Sequence, residues 1–122
     1  RDFVRFFTAL RRGQLLPEPL VEQLLQIMRI QKYIEPMRKL LPFNPYDSEF
    51  GRYPKVWVAS KTGGLDGVRC EGGLIHAYGV EWAMVVCAKG FQSPVSAYDN
   101  PGSELISRVS RTVFEEWATS AG

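Results

Sequence analysis

The stretch SKTGGLDGVRCEGG, residues 60–73, carries the residue types best suited to binding an anion. A lysine, a hydroxyl residue and two glycines, Lys61 to Gly64, follow an apolar run that predicts a strand ending near Ser60. Lysine offers a positive charge, threonine a directional hydrogen-bond donor, and glycine lets a ligand approach the backbone N–H groups closely. Together these groups suit a ligand with a carboxylate and a carbonyl oxygen. The three letters KTG alone are a weak signal, because a glycine turn with a solvated lysine has the same pattern.

Three helices are predicted before this stretch, within residues 1–42. We expect the first to stop at Gly13, the second to run from Glu18 to Arg29, and the third to end at Pro42. Apolar residues at helical spacing predict one buried face on each helix. These residues are Phe3, Phe6, Phe7 and Leu10; Leu20, Val21, Leu24, Leu25 and Met28; and Ile34, Met37, Leu40 and Leu41.

After a polar loop, residues 55–90 change to the period of strands. We expect strands at Val56–Ser60, Gly72–Tyr78 and Val80–Ala88, with a hairpin turn at Gly79. The last strand is apolar on both faces, which predicts a place inside the sheet. A C-terminal helix follows over residues 102–119, with Ser103 as a candidate N-cap. The expected fold is a single α/β (α+β) domain, residues 1–122, with an antiparallel sheet and packed helices.

This order of elements resembles the last part of class A β-lactamases, which belong to the penicillin-recognising serine hydrolases. The third signature of these enzymes is KTG or KSG on a strand at the edge of the active site. The run RDFVRFFTALRRGQLLPEPLVEQLLQIM is similar to the helices before that strand, and GVRCEGGLI is similar to the strand after it. The resemblance covers nearly the whole chain and implies an incomplete β-lactamase-like fold.

The resemblance also implies roles for individual residues. Lys61 and Thr62 would hold the substrate carboxylate, and Gly63 would permit close approach. The backbone N–H of Gly64 would be one of two donors to the oxyanion of the tetrahedral intermediate. Arg69 on the next strand would reach the carboxylate from the side; the alternative is an arginine that pairs with Glu71 or with solvent.

The chain lacks the other signatures of the family. No serine is followed by lysine at the third position, and no S-D-N element or deacylating glutamate can be placed. We therefore expect the C-terminal part of a hydrolase, inactive alone, that pairs with a missing N-terminal segment or a second copy. The start at Arg1 rather than Met fits a processed or partial product. Two alternatives remain: a non-catalytic binding module or pseudoenzyme of this superfamily, and an interaction domain whose KTG is accidental.

Several other polar residues are interpreted as structural. Tyr98, Asp99 and Asn100 have the Y-x-N form of related enzymes, but they follow KTG and precede Pro-Gly, which predicts a turn. Glu22 lies within a regular helix and is interpreted as solvated. His76 has no obvious carboxylate or cysteine neighbour in sequence and is interpreted as a packed strand residue.

The cysteine count argues against a metal site and leaves the redox state open. One histidine and two cysteines cannot supply the four ligands of a structural zinc site. A disulfide between Cys70 and Cys87 would need neighbouring strands in matching register, since an offset of one residue puts the two side chains on opposite faces. We expect two buried free thiols.

Composition limits the class of protein. Hydrophobic residues make up 45% of the 122 residues, which excludes disorder as the default. The net charge of +2 is scattered along the chain, so the basic footprint of a nucleic-acid binder is missing. No apolar run approaches the length of a membrane span, and no export signal is recognisable. No cofactor is expected; the expected ligand is a β-lactam or a related acyl compound with a carboxylate, and only the resemblance argues for a periplasmic or secreted protein.

Overall fold

A computed structural model describes residues 1–30, 36–42, 55–92 and 100–120, with the side chains of the last helix described as far as Ala118. These ranges contain three antiparallel strands and four helices, as the composition of α and β elements predicted. In chain order the elements are α1 Asp2–Arg11, α2 Glu18–Arg29, α3 Pro36–Lys39, β1 Val56–Leu65, β2 Val68–Ala77, β3 Val80–Lys89 and α4 Pro101–Ser120.

The strands form one sheet in the order β1-β2-β3, and both connections are tight hairpins. Tyr78 and Gly79 have positive φ values of 51° and 87°, as a two-residue hairpin turn of mirror-image type requires. The turn predicted at Gly79 is confirmed. Helices cover β3 on both faces, as its two apolar faces predicted, but within the described ranges β2 is the central strand and β3 lies at an edge of the sheet.

Strand β1 is longer than the sequence indicated. It continues past Ser60 to Leu65, because residues as far as Leu65 pair with β2. The lysine, threonine and glycines therefore lie within the strand and not after its end. The residues after Ser60 are mostly exposed, so they lack the alternation of apolar and polar residues by which a strand is recognised.

Each face of the sheet has its own core. We call the side against α3 and α4 the α4 face, and the side against α1 and α2 the α1 face. The core of the α4 face consists of Met37, Leu41, Val56, Val58, Ile75, Ala77, Trp82, Met84, Ile106, Phe114 and Ala118. The core of the α1 face consists of Phe7, Leu10, Val21, Leu25, Ala59 and Leu74.

The apolar faces of the helices are only partly buried. Phe3 is 69% exposed, and Phe6 and Leu20 are each close to half exposed, so the prediction that these residues belong to the core is wrong. The reason is geometric: α1 and α2 contact the sheet through the narrow stripe of Phe7, Leu10, Val21 and Leu25. Leu40, Leu105 and Trp117 are also about half exposed, and Ile34 lies outside the described residues.

Helix α4 begins one residue earlier than predicted and has a different cap. The Asn100 side-chain oxygen accepts a hydrogen bond from the Ser103 N–H at 2.9 Å, and the Asn100 carbonyl accepts one from the Glu104 N–H at 3.0 Å. Asn100 is therefore the N-cap, and Ser103 lies in the first turn. The prediction of Ser103 as the cap is wrong.

The two cysteines form a disulfide bond. Cys70 on β2 lies directly opposite Cys87 on β3, and the two Cα atoms are 4.1 Å apart. The expectation of two free thiols is wrong, because the register of this hairpin puts both side chains on the same face of the sheet.

No helix in residues 1–30, 36–42 or 100–120 has the length and apolar character to cross a membrane. Among the described residues, including those of the sheet, no three His, Cys, Asp or Glu side chains lie in an arrangement that could hold a metal ion.

Candidate functional site

The KTG residues lie near the end of β1, on the strand edge that faces away from β2. Because side chains alternate along a strand, Lys61 and Gly63 belong to the α1 face, while Thr62 and Gly64 belong to the α4 face. The ammonium and the hydroxyl therefore leave the strand on opposite faces. They share only the outer edge, and within the described ranges no further strand pairs with that edge.

The backbone of β1 alternates between pointing at β2 and pointing at this outer edge. The Tyr78 N–H donates to the Lys55 carbonyl at 2.9 Å, which directs Lys55 and every second residue after it toward β2. Gly63 belongs to that set. Gly64 belongs to the other set, so its N–H points outward and takes no part in ladder pairing with β2.

The disulfide gives the same alternation independently. A Cα separation of 4.1 Å for Cys70 and Cys87 matches a non-hydrogen-bonded antiparallel pair, for which about 4.5 Å is typical. The backbone of Cys70 then points away from β3, at β1, where its partner is Gly63. Gly63 therefore pairs within the ladder and Gly64 faces outward.

Other outward-pointing groups of β1 already have donors. The Val58 carbonyl accepts a hydrogen bond from Arg38 Nη2 at 2.9 Å, and the Thr62 carbonyl accepts one from Lys61 Nζ at 2.6 Å. The Lys61 side chain thus bends from the α1 face to the outer edge. This brings its ammonium to the edge along which the Gly64 N–H points, so the structure gathers a positive charge and an outward amide there.

Arg69 lies opposite Gly64 in the register, on the same face as Thr62. A Cβ atom placed on Gly64 would lie 3.1 Å from Arg69 Nη1 and 3.3 Å from Cζ, so the guanidinium packs directly against the glycine. The side of the Arg69 stem faces α4, where a Cβ on Gly102 would lie 3.2 Å from Arg69 Cβ. The lack of a side chain at Gly64 therefore gives the arginine room to lie across β1 toward the outer edge.

Sequence analysis missed a buried carboxylate next to these groups. Glu71 is opposite Thr62 and only 1% exposed. Its Oε1 accepts a hydrogen bond from the Met37 N–H at 2.7 Å, and its Oε2 accepts one from Ser60 Oγ at 2.5 Å. The signal that could have found it is a glutamate within a run of small and apolar strand residues, where an ionisable side chain must be buried with partners.

A second polar cluster lies on the α1 face near the Tyr78–Gly79 turn. Arg11 donates to both Glu81 and Glu22, and its hydrogen bond to Glu81 is the main cause that raises the pKa of Arg11. His76 stacks on Trp57 with ring centroids 5.2 Å apart, and its Nδ1 lies 3.3 Å from Glu81 Oε2. His76 is therefore a packed strand residue as predicted, but it does have a carboxylate neighbour.

This second cluster lines a groove of about 800 Å³, which does not include any KTG residue. Glu22, predicted to be solvated, forms an ion pair with Arg11 at 2.9 Å. Arg11 in this groove is paired with two carboxylates, and the residues predicted to bind an anion lie elsewhere, so we place the candidate site at the KTG edge. Of the Y-x-N lookalike, Asn100 is the cap of α4, and Tyr98 and Asp99 lie outside the described residues.

Solved structures similar to this chain include PBP-A. The structure of PBP-A matches with a TM-score of 0.71 and 26% identity, covering 98% of this chain and 39% of that one. A mutant of PBP-A described as an acyl-enzyme complex with penicillin G matches with a TM-score of 0.69, 27% identity and the same coverage. This chain therefore spans about two fifths of the length of these structures.

A β-lactamase from Sphaerobacter thermophilus matches with a TM-score of 0.71 over 99% of this chain and 40% of that one, and at 20% identity this likeness shows the fold alone. No curated protein matches the chain. The model of the beta-lactamase enzyme family matches residues 1–117. Since that match takes in all three strands, the KTG residues and most of α4, the chain belongs to the beta-lactamase enzyme family.

Proposed function

We propose that this chain supplies the strand of a penicillin-recognising serine hydrolase that binds the substrate carboxylate and helps to form the oxyanion hole. The observation that carries the proposal is the outward-pointing N–H of Gly64 on the same strand edge as the Lys61 ammonium. A donor that already points at the position of a developing negative charge needs no rearrangement during the reaction, which is the basis of oxyanion stabilisation.

The carboxylate of the substrate would bind beside that amide. Lys61 supplies charge at the edge and Thr62 a hydroxyl on the α4 face. Arg69 lies across Gly64 on the same face as Thr62, so its guanidinium can approach the carboxylate from that side. Bidentate pairing of a guanidinium with a carboxylate adds both affinity and orientation. The ligand class that fits is an acyl compound with a carboxylate near the reacting carbonyl, such as a β-lactam.

The nucleophile would come from residues outside this chain, which has no S-x-x-K element. Its serine oxygen would attack the lactam carbonyl, the C–N bond of the ring would break, and the ring nitrogen would take the proton that the serine loses. Water would then hydrolyse the ester. The acyl-enzyme described for the PBP-A mutant is a precedent for the first half of this sequence in a relative.

We further propose that a preceding segment of the same fold packs against the exposed surface of α1 and α2, with a second copy of this chain as the alternative occupant. Phe3, Phe6 and Ile27 on α1 and α2 are between 49% and 69% exposed, and an apolar surface of this kind marks an interaction site. The outer edge of β3 offers unpaired backbone groups within the described sheet, which suits a further strand.

Intact-mass analysis of the complete gene product after incubation with penicillin G tests the proposed function. A covalent adduct on a serine outside this chain is expected. Lys61→Ala should slow adduct formation about tenfold, the effect of losing one charged hydrogen bond. Lys55→Ala, which removes an exposed lysine immediately before the same strand, should leave the rate unchanged.

Two results would overturn the proposal that the complete protein is a serine hydrolase. Penicillin that binds without forming an adduct would indicate the non-catalytic module or pseudoenzyme. A protein that neither binds nor reacts would indicate that KTG is accidental in this chain.

A further inference from the structure

The buried Glu71 carboxylate has no role in the proposed chemistry, yet it lies at the centre of a hydrogen-bonded chain that crosses the fold. A carboxylate that is 1% exposed costs several kcal/mol to bury unless its oxygens receive hydrogen bonds. Here Oε1 accepts a hydrogen bond from the Met37 N–H, and Oε2 accepts one from Ser60 Oγ. The glutamate therefore ties helix α3 to strand β1 from a position on β2.

The same series of hydrogen bonds continues into helix α4. Ser110 Oγ donates to the Met37 carbonyl at 2.7 Å, so the backbone of Met37 is held on one side by α4 and on the other by Glu71. Ser60, Ser110 and Met37 are all fully buried, and water therefore does not compete for these bonds. These hydrogen bonds reach Ser60, the residue immediately before Lys61.

The position of Ser60 matters because β1 is an edge strand. Within the described ranges β1 has ladder bonds on one side only, and the Val58 carbonyl on its other side is held by Arg38. Glu71 is also directly opposite Thr62, in a pair whose Cα atoms lie at the shorter of the two antiparallel spacings. The bond from Ser60 thus holds β1 in place one residue before Lys61 and two residues before Thr62.

We infer that Glu71, acting through Ser60, is a positioning residue that holds Thr62 in place for the substrate carboxylate. The inference rests on the proposed function. Loss of the bond should weaken interactions with the carboxylate and leave those with the rest of the ligand intact. A merely structural role would reduce the reactions of all ligands together.

The test compares benzylpenicillin with its methyl ester, which lacks the carboxylate charge, as acylating agents of the complete gene product. Ser60→Ala removes the β1 end of the bridge and keeps the Glu71 carboxylate bound to Met37. It should lower the acylation rate with the free acid about tenfold, as expected for one lost hydrogen bond to a charged group, and leave the rate with the ester unchanged. Ser107→Ala removes an equally buried serine hydroxyl that bonds within α4 and should change neither rate.

Glu71→Gln provides the second variant. A glutamine can accept a hydrogen bond from the Met37 N–H and donate one to Ser60 Oγ. The acylation rate with the free acid should therefore stay within about threefold of the wild-type rate, a smaller change than the loss of one hydrogen bond would cause. Glu71→Ala is expected to lower it at least as far as Ser60→Ala. Equal losses for acid and ester in Ser60→Ala, or no loss in either, would overturn the inference.

A wild-type protein that is not acylated by either compound would overturn the proposed function instead. The effect of Ser60 on the position of β1 is then measured from amide NMR spectra of the ligand-free protein. Ser60→Ala should shift the resonances of Thr62 more than those of residues at the Tyr78–Gly79 turn, and unchanged Thr62 resonances would contradict it.

Discussion

The backbones of β1 and β2 approach so closely at Gly73 that no side chain fits there. A Cβ atom on Gly73 would overlap the Ala59 carbonyl oxygen and would lie 2.6 Å from Ser60 Cα, whereas ordinary contacts begin at 3.4 Å. All of these atoms belong to the backbone, so no side chain can move aside. Gly73→Ala must therefore push β1 away from β2 immediately before Lys61.

The cost of that movement follows from the bonds on either side. The residues before and after Ser60 point at β2 and share ladder hydrogen bonds with it, each worth about 1 kcal/mol net. Overpacking of this kind costs 1–3 kcal/mol by itself, so we expect about 3 kcal/mol in the free energy of unfolding. For a domain of this size that corresponds to roughly 10 °C in Tm.

Thermal unfolding followed by circular dichroism measures this effect. Gly63→Ala is the matched control, because a Cβ on Gly63 meets no atom within 4 Å. Its Tm should stay within about 2 °C of the wild type, since alanine is if anything preferred to glycine within a strand. A Gly73→Ala protein that melts like the control would refute the close approach of the two strands at this point.

Three further changes have expected outcomes. Reduction of the Cys70–Cys87 disulfide should lower the free energy of unfolding by about 3 kcal/mol, because the bond closes a loop with a sequence separation of 17; identical urea curves with and without reductant would contradict this. Asn100→Ala should cost about 1 kcal/mol in urea unfolding through loss of the cap of α4, and Asn100→Asp should restore it; equal stability of the alanine variant would show that the cap contributes nothing. Arg69→Ala removes the guanidinium that packs against Gly64 and should weaken the binding of penicillin about tenfold; unchanged affinity would remove Arg69 from the proposed site.

The sequence was sufficient for the hairpin of β2 and β3. Glycine at 79 marked the turn, and alternating apolar residues marked β3. The end of β1 could not be found in this way, because Lys61 to Leu65 are largely exposed and their strand conformation comes from pairing with β2. The faces of Lys61 and Thr62 follow from that pairing alone.

The disulfide depended on a detail of the turn. Cys70 lies eight positions before Tyr78, and Cys87 lies eight positions after Gly79, so a two-residue turn at Tyr78–Gly79 places the cysteines opposite each other. Taking Gly79 alone as the turn leaves the register uncertain by one residue, which is enough to separate them. Glu71 was missed for a different reason, since its partners Met37 and Ser60 come from distant parts of the chain.

The exposed fraction of the helices also exceeded what their periodicity indicated. Helical spacing shows which side chains share a face and not how much of that face has a partner. Phe3 and Phe6 share the face of Phe7 and Leu10, but only the latter two contact the sheet. A preceding segment of the fold that packs against α1 and α2, as proposed, would cover the remaining exposed apolar side chains.

Amide hydrogen exchange across β1, measured by NMR, tests the central claim most directly. The account requires that Gly63 exchange slowly, because it bonds to β2, and that Gly64 exchange rapidly, because its N–H points to the open edge. Acylation of the complete gene product by penicillin should then protect Gly64. Slow exchange of Gly64 before any ligand is added would contradict the outward amide, and with it the proposed oxyanion site.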